Sequence, residues 1–187
     1  MALPDSLKIT VGTAIVLANS GDHAPAANNN LGTQTVQIDL TSLGANAYRQ
    51  SDKFDFGANR APSYFVMAAL EFLTTPVAGE VVNFYLAYSP STTAAVANPG
   101  NVSGVDGAYT GYSSNPADAI QQTEYIGSFI ATVQATTTIV KAHIGVFTPR
   151  MRYASLIVHN NTAGDAFVAD AVEMSVLISP NEEQIQD

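Results

Sequence analysis

The sequence predicts an all-β protein: an antiparallel β-sandwich, of jelly-roll type, with one long irregular loop. Three observations predict it. Apolar residues alternate with a period of two through most segments, the spacing that puts them on one side of an extended strand. Clusters of Gly, Pro, Asn, Ser and Thr separate those segments about every ten residues, which suggests about seven or eight short strands. No helical stretch is long enough to serve as the crossover of a βαβ unit. At 187 residues the chain suits one domain, 1–187, with room for a substantial core.

Residues 1–8, with Pro4, read as an N-terminal arm leading into a strand at 8–17, where Ile9, Val11, Ile15 and Leu17 share a parity. The run Val11 to Ala18 has some of the look of a secretory leader. Asp5 stands before Lys8, however, and Thr10 and Thr13 interrupt the run, so a strand is expected. The loop 19–32 concentrates turn formers, and 33–40 then alternates, with Val36, Ile38 and Leu40 inward. A short helical turn is expected at 41–47 and a strand at 48–56, with Phe54 and Phe56 on one side.

The stretch 63–90 carries the strongest signal and reads as a strand pair. Tyr64, Val66, Ala68, Leu70 and Phe72 lie on one side of the first strand, and Val82, Phe84, Leu86 and Tyr88 on one side of the second. The other parity of the first run holds Phe65, Met67, Ala69 and Leu73, so both faces are expected to be covered. Pro76 and Gly79 mark the turn between them.

The segment 89–123 lacks strong periodicity and has Gly100, Gly104, Gly107 and Gly111 among its residues. Loops beyond about 12 to 15 residues tend to be functional or disordered, so a projecting loop is expected here. Within it, Asn115 caps a helical turn over 116–122, with Pro116 in first position. Strands follow at 124–133, 136–147 and 150–159. The last is expected to form a hairpin across the turn 160–165 with a return strand bearing Val172, Met174, Val176 and Ile178, stopped by Pro180. An acidic tail, 181–187, ends the chain.

Charged residues are 12% of the chain, against roughly 25% in a typical soluble domain. Small neutral residues replace them. They suit a surface covered by other protein, because charge is depleted at the centres of interfaces, and equally a neutral monomer kept soluble by its net charge of -9. With seven basic residues, none between Arg60 and Lys141, and a net charge of -9, the chain is ill-suited to phosphates or to an anionic membrane. No nucleic acid and no membrane are expected as partners. Arg49, Lys53 and Arg60 gather three of the seven basic residues in one quarter of the chain and could meet an acidic partner, although isolated surface cations explain them more simply. The absence of cysteine removes disulfides, thiolate metal sites and cysteine nucleophiles.

The chemistry-bearing residues form no recognisable motif. His23, His143 and His159 lack the spacing of metal ligands. The run Gly100 to Gly107 has the glycines of a phosphate loop without its lysine or its helix. Asn101, Asp106 and Asp118 could offer oxygens to calcium but show no alternating carboxylate pattern. Asn101-Val-Ser103 and Asn160-Asn161-Thr162 match the glycosylation pattern, which matters only in a secreted eukaryotic chain. Tyr109 and Tyr112 could form a stacking platform for sugar, or simply pack the loop. No catalytic, cofactor-binding or metal-binding residue is expected, and no enzyme.

The segments NFYLAYSPSTTAAVANPGNVSGVDGAYTGY (83–112), EYIGSFIATV (124–133), GVFTPRMRYASLIVHNNTAGD (145–165) and EMSVLISP (173–180) resemble small virion proteins of tailed bacteriophages. The shared features are a strand ending in "YLA-SP" before a Gly/Asn-rich loop and an "RY-SLIV-NN" strand. The resemblance implies a structural role like that of capsid decoration, or cement, proteins. On it rest the expectations of a homotrimer, a major capsid protein as partner, synthesis in the host cytoplasm and a place on the capsid surface. Two alternatives remain open at this point: a tail or neck adaptor or fibre base, and a carbohydrate-binding jelly-roll module.

Overall fold

In the computed structural model, residues 12–24, 31–133, 135–136, 138–170 and 172–181 are described. The expected arm, the first half of the first strand and nearly all of the acidic tail lie outside them. Two mostly antiparallel sheets pack face to face as a β-sandwich. The first sheet runs β2 (Val36–Gln37), β1 (Ile15–Ala18), β11 (Ser175–Pro180), β5 (Tyr64–Leu70), β9 (Val140–Phe147). The second runs β7 (Gly107–Ala108), β3 (Tyr48–Gln50), β10 (Tyr153–Asn161), β6 (Val81–Ser89), β8 (Glu124–Ile130), with β4 (Phe54–Asp55) also on β10. Among the described residues only β1 and β2 pair in parallel. No helix among the described residues is long and apolar enough to cross a membrane.

The pairing is nested: β6 pairs β8, β5 pairs β9, β3 pairs β10 and β1 pairs β11, all antiparallel. The chain therefore doubles back about the β6–β8 connection, and successive pairs fall in alternate sheets. This corrects two expected hairpins. β5 and β6 lie in opposite sheets, as do β10 and β11, so the connections after Leu70 and after Asn161 each cross from one sheet to the other. A period of two tells which face of a strand is buried, and both strands of each supposed pair do face the common core; it does not name the neighbour.

The core takes one parity from each sheet: Val66, Leu70 and Ile178 from the first, Phe84, Leu86 and Leu156 from the second, all fully buried. Tyr64 is buried with its hydroxyl satisfied, accepting from the Ala61 amide at 3.2 Å and donating to the Phe56 carbonyl at 3.4 Å. Phe54 and Phe56 share a side as expected and meet edge to face, 5.2 Å between ring centroids. The strand expected over 48–56 is nevertheless broken. The Asp52 amide donates to the Gln37 carbonyl and the Lys53 amide to the Gly104 carbonyl, which takes the backbone off the ladder between β3 and β4. The expected helical turn at 41–47 is instead a pair of tight turns, with Ser42 and Asn46 at φ 53° and 58°, outside the right-handed helical region.

Edge strands β8 and β9 close one side of the sandwich. Each carries a β-bulge, with Ile126 the extra residue on β8 and Ile144 on β9. Gly127 abuts the Ile144 carbonyl and Gly145 the Ile126 carbonyl; a Cβ at Gly145 would stand 2.5 Å from that oxygen. Glycine at both positions is what lets the two backbones approach.

The segment 90–123 does not project. It folds back over the outer face of the second sheet, where Val102, Tyr109, Ala119 and Ile120 bury Ala87 and Ile157 in a second, smaller core. This is why β10 is buried on both faces. The helical turn within the segment forms as expected: α1 (Pro116–Ala119) runs into a 3-10 turn at Ile120–Gln122, and Asn115 accepts from the Asp118 amide.

Candidate functional site

Where the end of β6 meets the covering segment, a cleft of about 460 Å³ opens between Leu86 and Tyr88 of β6, Ala97 to Pro99, Gln122 to Glu124, and Arg150 with Met151 ahead of β10. Local structure positions each wall. Leu86 is paired with Glu124 and Tyr88 with Ala154, so the β6 side chains are held by the ladder. The 97–99 wall is held by Asn98, whose side-chain nitrogen donates to the Ala94 carbonyl at 2.6 Å and the Val102 carbonyl at 2.7 Å. Gly100, at φ 66°, follows in the left-handed region, and its amide donates to the Gln122 side-chain oxygen at 3.2 Å.

Three side-chain atoms of this cleft are buried without a close hydrogen-bond partner: the Tyr88 hydroxyl, Asn98 Oδ1 and Glu124 Oε2, the last of them ion-paired with Arg150. Because both hydrogens of the Asn98 amide are engaged, exchanging its oxygen and nitrogen would place an oxygen against two carbonyls, so the orientation is determined. Tyr88 is 8% exposed, and burial, reinforced by the nearby Glu124 carboxylate, raises its phenol well above the usual value. The hydroxyl keeps its proton and can both donate and accept. Glu124 Oε2 lies 2.5 Å from Arg150 Nε, whose side chain is 73% exposed at the mouth. Pro99 and Met151 supply apolar wall, with the buried Leu86 behind them. The cleft thus offers hydrogen-bonding groups of both senses, a carboxylate and a guanidinium that neutralise one another, and an apolar side.

A second concavity of about 500 Å³ has Glu71, Leu73, Val168, Asp170 and Glu173 among its lining residues. Burial, together with Glu173 and Asp170, raises the Glu71 carboxyl. It holds no orphaned buried polar atom, which makes the Tyr88 cleft the better candidate.

The residues singled out in the sequence are dispersed. His23 Nε2 lies 3.3 Å from the Gly32 carbonyl, His143 is exposed on β9, and His159 is stacked on Tyr48 beneath the covering segment. The Asp106 carboxylate receives Arg49 Nε at 2.8 Å and Nη2 at 2.6 Å and also the Asp39 amide. Burial would push that carboxyl up, but these bonds hold it below its ordinary value. The Asn101 amide donates to the Gly111 carbonyl, and Asp118 sits against Asn115. Among the described residues no three metal-ligating side chains converge.

Two of the three expected cations are likewise taken up, while Arg60 is exposed. Arg49 is bound to Asp106, and Lys53 Nζ donates to the carbonyls of Ser91, Thr93 and Val96 and to the Ser89 hydroxyl, tying down the start of the covering segment. Tyr109 is 3% exposed, with its hydroxyl donating to the Gly100 carbonyl at 2.7 Å, so it offers no face to a sugar; Tyr112 is exposed. Asn160 is fully buried, donating to the Leu43 and Asp165 carbonyls, and cannot accept a glycan.

Sequence reasoning placed Tyr88 on the buried parity of its strand and stopped there. The one available signal was that it is the polar-tipped member of an otherwise apolar series; nothing in the order of residues joins it to Asn98, Glu124 and Arg150. No protein-family model matches the chain, and no curated protein sequence does.

Proposed function

We propose that this chain is a non-enzymatic structural protein of a tailed-phage virion: a capsid cement protein, on a jelly-roll scaffold, that bridges subunits of the major capsid protein as a homotrimer. The nested strand pairing supports the jelly-roll reading, since wrapping one long antiparallel hairpin produces that alternation between sheets. The observation that carries the function is the exterior. With charged residues at 12%, it exposes Tyr125, Ile130, Val133 and Val146 on or beside the strands of the closed β8/β9 edge. Gly127 faces Ile144 and Gly145 faces Ile126, an antiparallel juxtaposition that brings Tyr125 and Val146 to the same part of that edge. Apolar surface of this kind is stabilised when covered, and contacts made only in the assembled shell shift the equilibrium toward it.

The test is reconstitution. The purified chain is added to capsids of its phage from which it has been stripped, and binding, stoichiometry and the heat resistance of the shell are measured. Trimers in solution, saturable binding on the head and a shell that survives hotter support the reading, and Tyr125→Glu with Val146→Glu should abolish binding. A chain that stays monomeric and never binds the stripped capsid overturns it. Recovery in tails or necks at ring stoichiometry would move the protein to the adaptor alternative.

A further inference from the structure

We infer that the cleft between the end of β6 and the covering segment is a binding site for a neutral, polyhydroxylated ligand of about the size of one sugar unit. A pocket of about 460 Å³ falls within the range of small-ligand sites, roughly 300 to 1,000 Å³. Its chemistry narrows the class. Asn98 can offer a ligand only its Oδ1 acceptor, since its nitrogen is committed to Ala94 and Val102. Tyr88, more than nine-tenths buried, has the Arg150 backbone amide near its phenol oxygen but no acceptor for its proton. A ligand hydroxyl satisfies both at once, because each hydroxyl donates and accepts. An ammonium group, which only donates, would leave the Tyr88 proton unanswered, and a phosphate, which chiefly accepts, would leave Asn98 Oδ1 unanswered. The Glu124–Arg150 pair leaves no net charge to attract either ion, and offers an acceptor and donors to further hydroxyls. Pro99 and Met151 fit the C–H face of a ring. The inference does not depend on the virion reading, and the site is distinct from the Tyr109/Tyr112 platform.

The experiment uses the isolated full chain, labelled with ¹⁵N and titrated with methyl glycosides of glucose, galactose and mannose, and separately with n-butylamine and inorganic phosphate. At least one glycoside should move the Asn98 side-chain amide and the Gly100 and Glu124 backbone amides saturably. Tyr88→Phe removes only the orphaned hydroxyl. It should melt no lower than the parent, since it relieves a buried unsatisfied group, and should bind the glycoside about tenfold more weakly. Glu124→Gln, which keeps the shape, should also weaken it. Three results would each overturn the inference: amides unmoved by every glycoside at millimolar concentration, saturable binding of butylamine or phosphate instead, or glycoside binding that Tyr88→Phe leaves unchanged.

Discussion

His159 gives the fold a weakness in mild acid that can be sized from its surroundings. It lies on β10 facing the covering segment, 9% exposed, with its ring stacked on Tyr48 at 3.8 Å between centroids and 6° between planes. Burial lowers its pKa from 6.5 to about 4, so the folded chain keeps the imidazole neutral where the unfolded chain protonates it. The sign follows from which state binds the proton. The contribution to stability is complete above pH 6.5 and is lost progressively as pH falls toward 4, below which the fold takes up the proton too. The gap between the two values corresponds to about 3 kcal/mol, a large share of the roughly 5 to 15 kcal/mol of a typical domain. The Glu71 carboxyl, raised by burial and its acidic neighbours, acts in the opposite sense near the bottom of this window, so a difference between variants is the cleaner measure. His159→Phe retains the stack on Tyr48 and cannot titrate. Urea unfolding of both chains from neutrality to pH 4 should show the parent losing stability over a range in which His159→Phe stays nearly flat. An NMR titration should place the His159 imidazole near 4. An imidazole titrating close to 6.5 in the folded chain, or equal pH slopes in the two chains, would refute the reasoning.

Three further outcomes follow from the packing. Gly145→Val should destabilise by about 1 to 3 kcal/mol through overpacking against the Ile126 carbonyl, read as a lower urea midpoint, whereas Gly164→Ala, which meets nothing within 4 Å, should change little. Asp106→Asn should cost about 1 to 3 kcal/mol at neutral pH by leaving Arg49 with only the Asp39 carboxylate, 3.9 Å away. Because that carboxyl is held low in the fold, its contribution is present above the unfolded value of 3.8 and lost as pH falls below it, so this variant should flatten only the most acidic part of the curve. Lys53→Met should leave the sandwich intact but release the start of the covering segment, seen as faster cleavage by a nonspecific protease at 91–97.

The period of two in the amino-acid order was enough to identify the long strands β5, β6 and β8 to β11 and their inward faces, though not β7 or the break between β3 and β4. Glycine, proline and asparagine likewise marked the turns and the Asn115-capped helical turn, where chemistry acts within a few residues. The scarcity of charge was legible as composition. Partners were not legible: β5 faces β6 across the core yet pairs with β9 and β11, and one alternation pattern serves either arrangement. The segment 90–123 has no periodicity because its few buried residues answer to the outer face of another sheet, so only the folded chain shows that Val102, Tyr109 and Ile120 cover Ile157. The cleft is the extreme case. Tyr88, Asn98, Glu124 and Arg150 come from separate segments, and whether a hydroxyl is orphaned depends on what surrounds it in space, which neighbours in the chain do not encode.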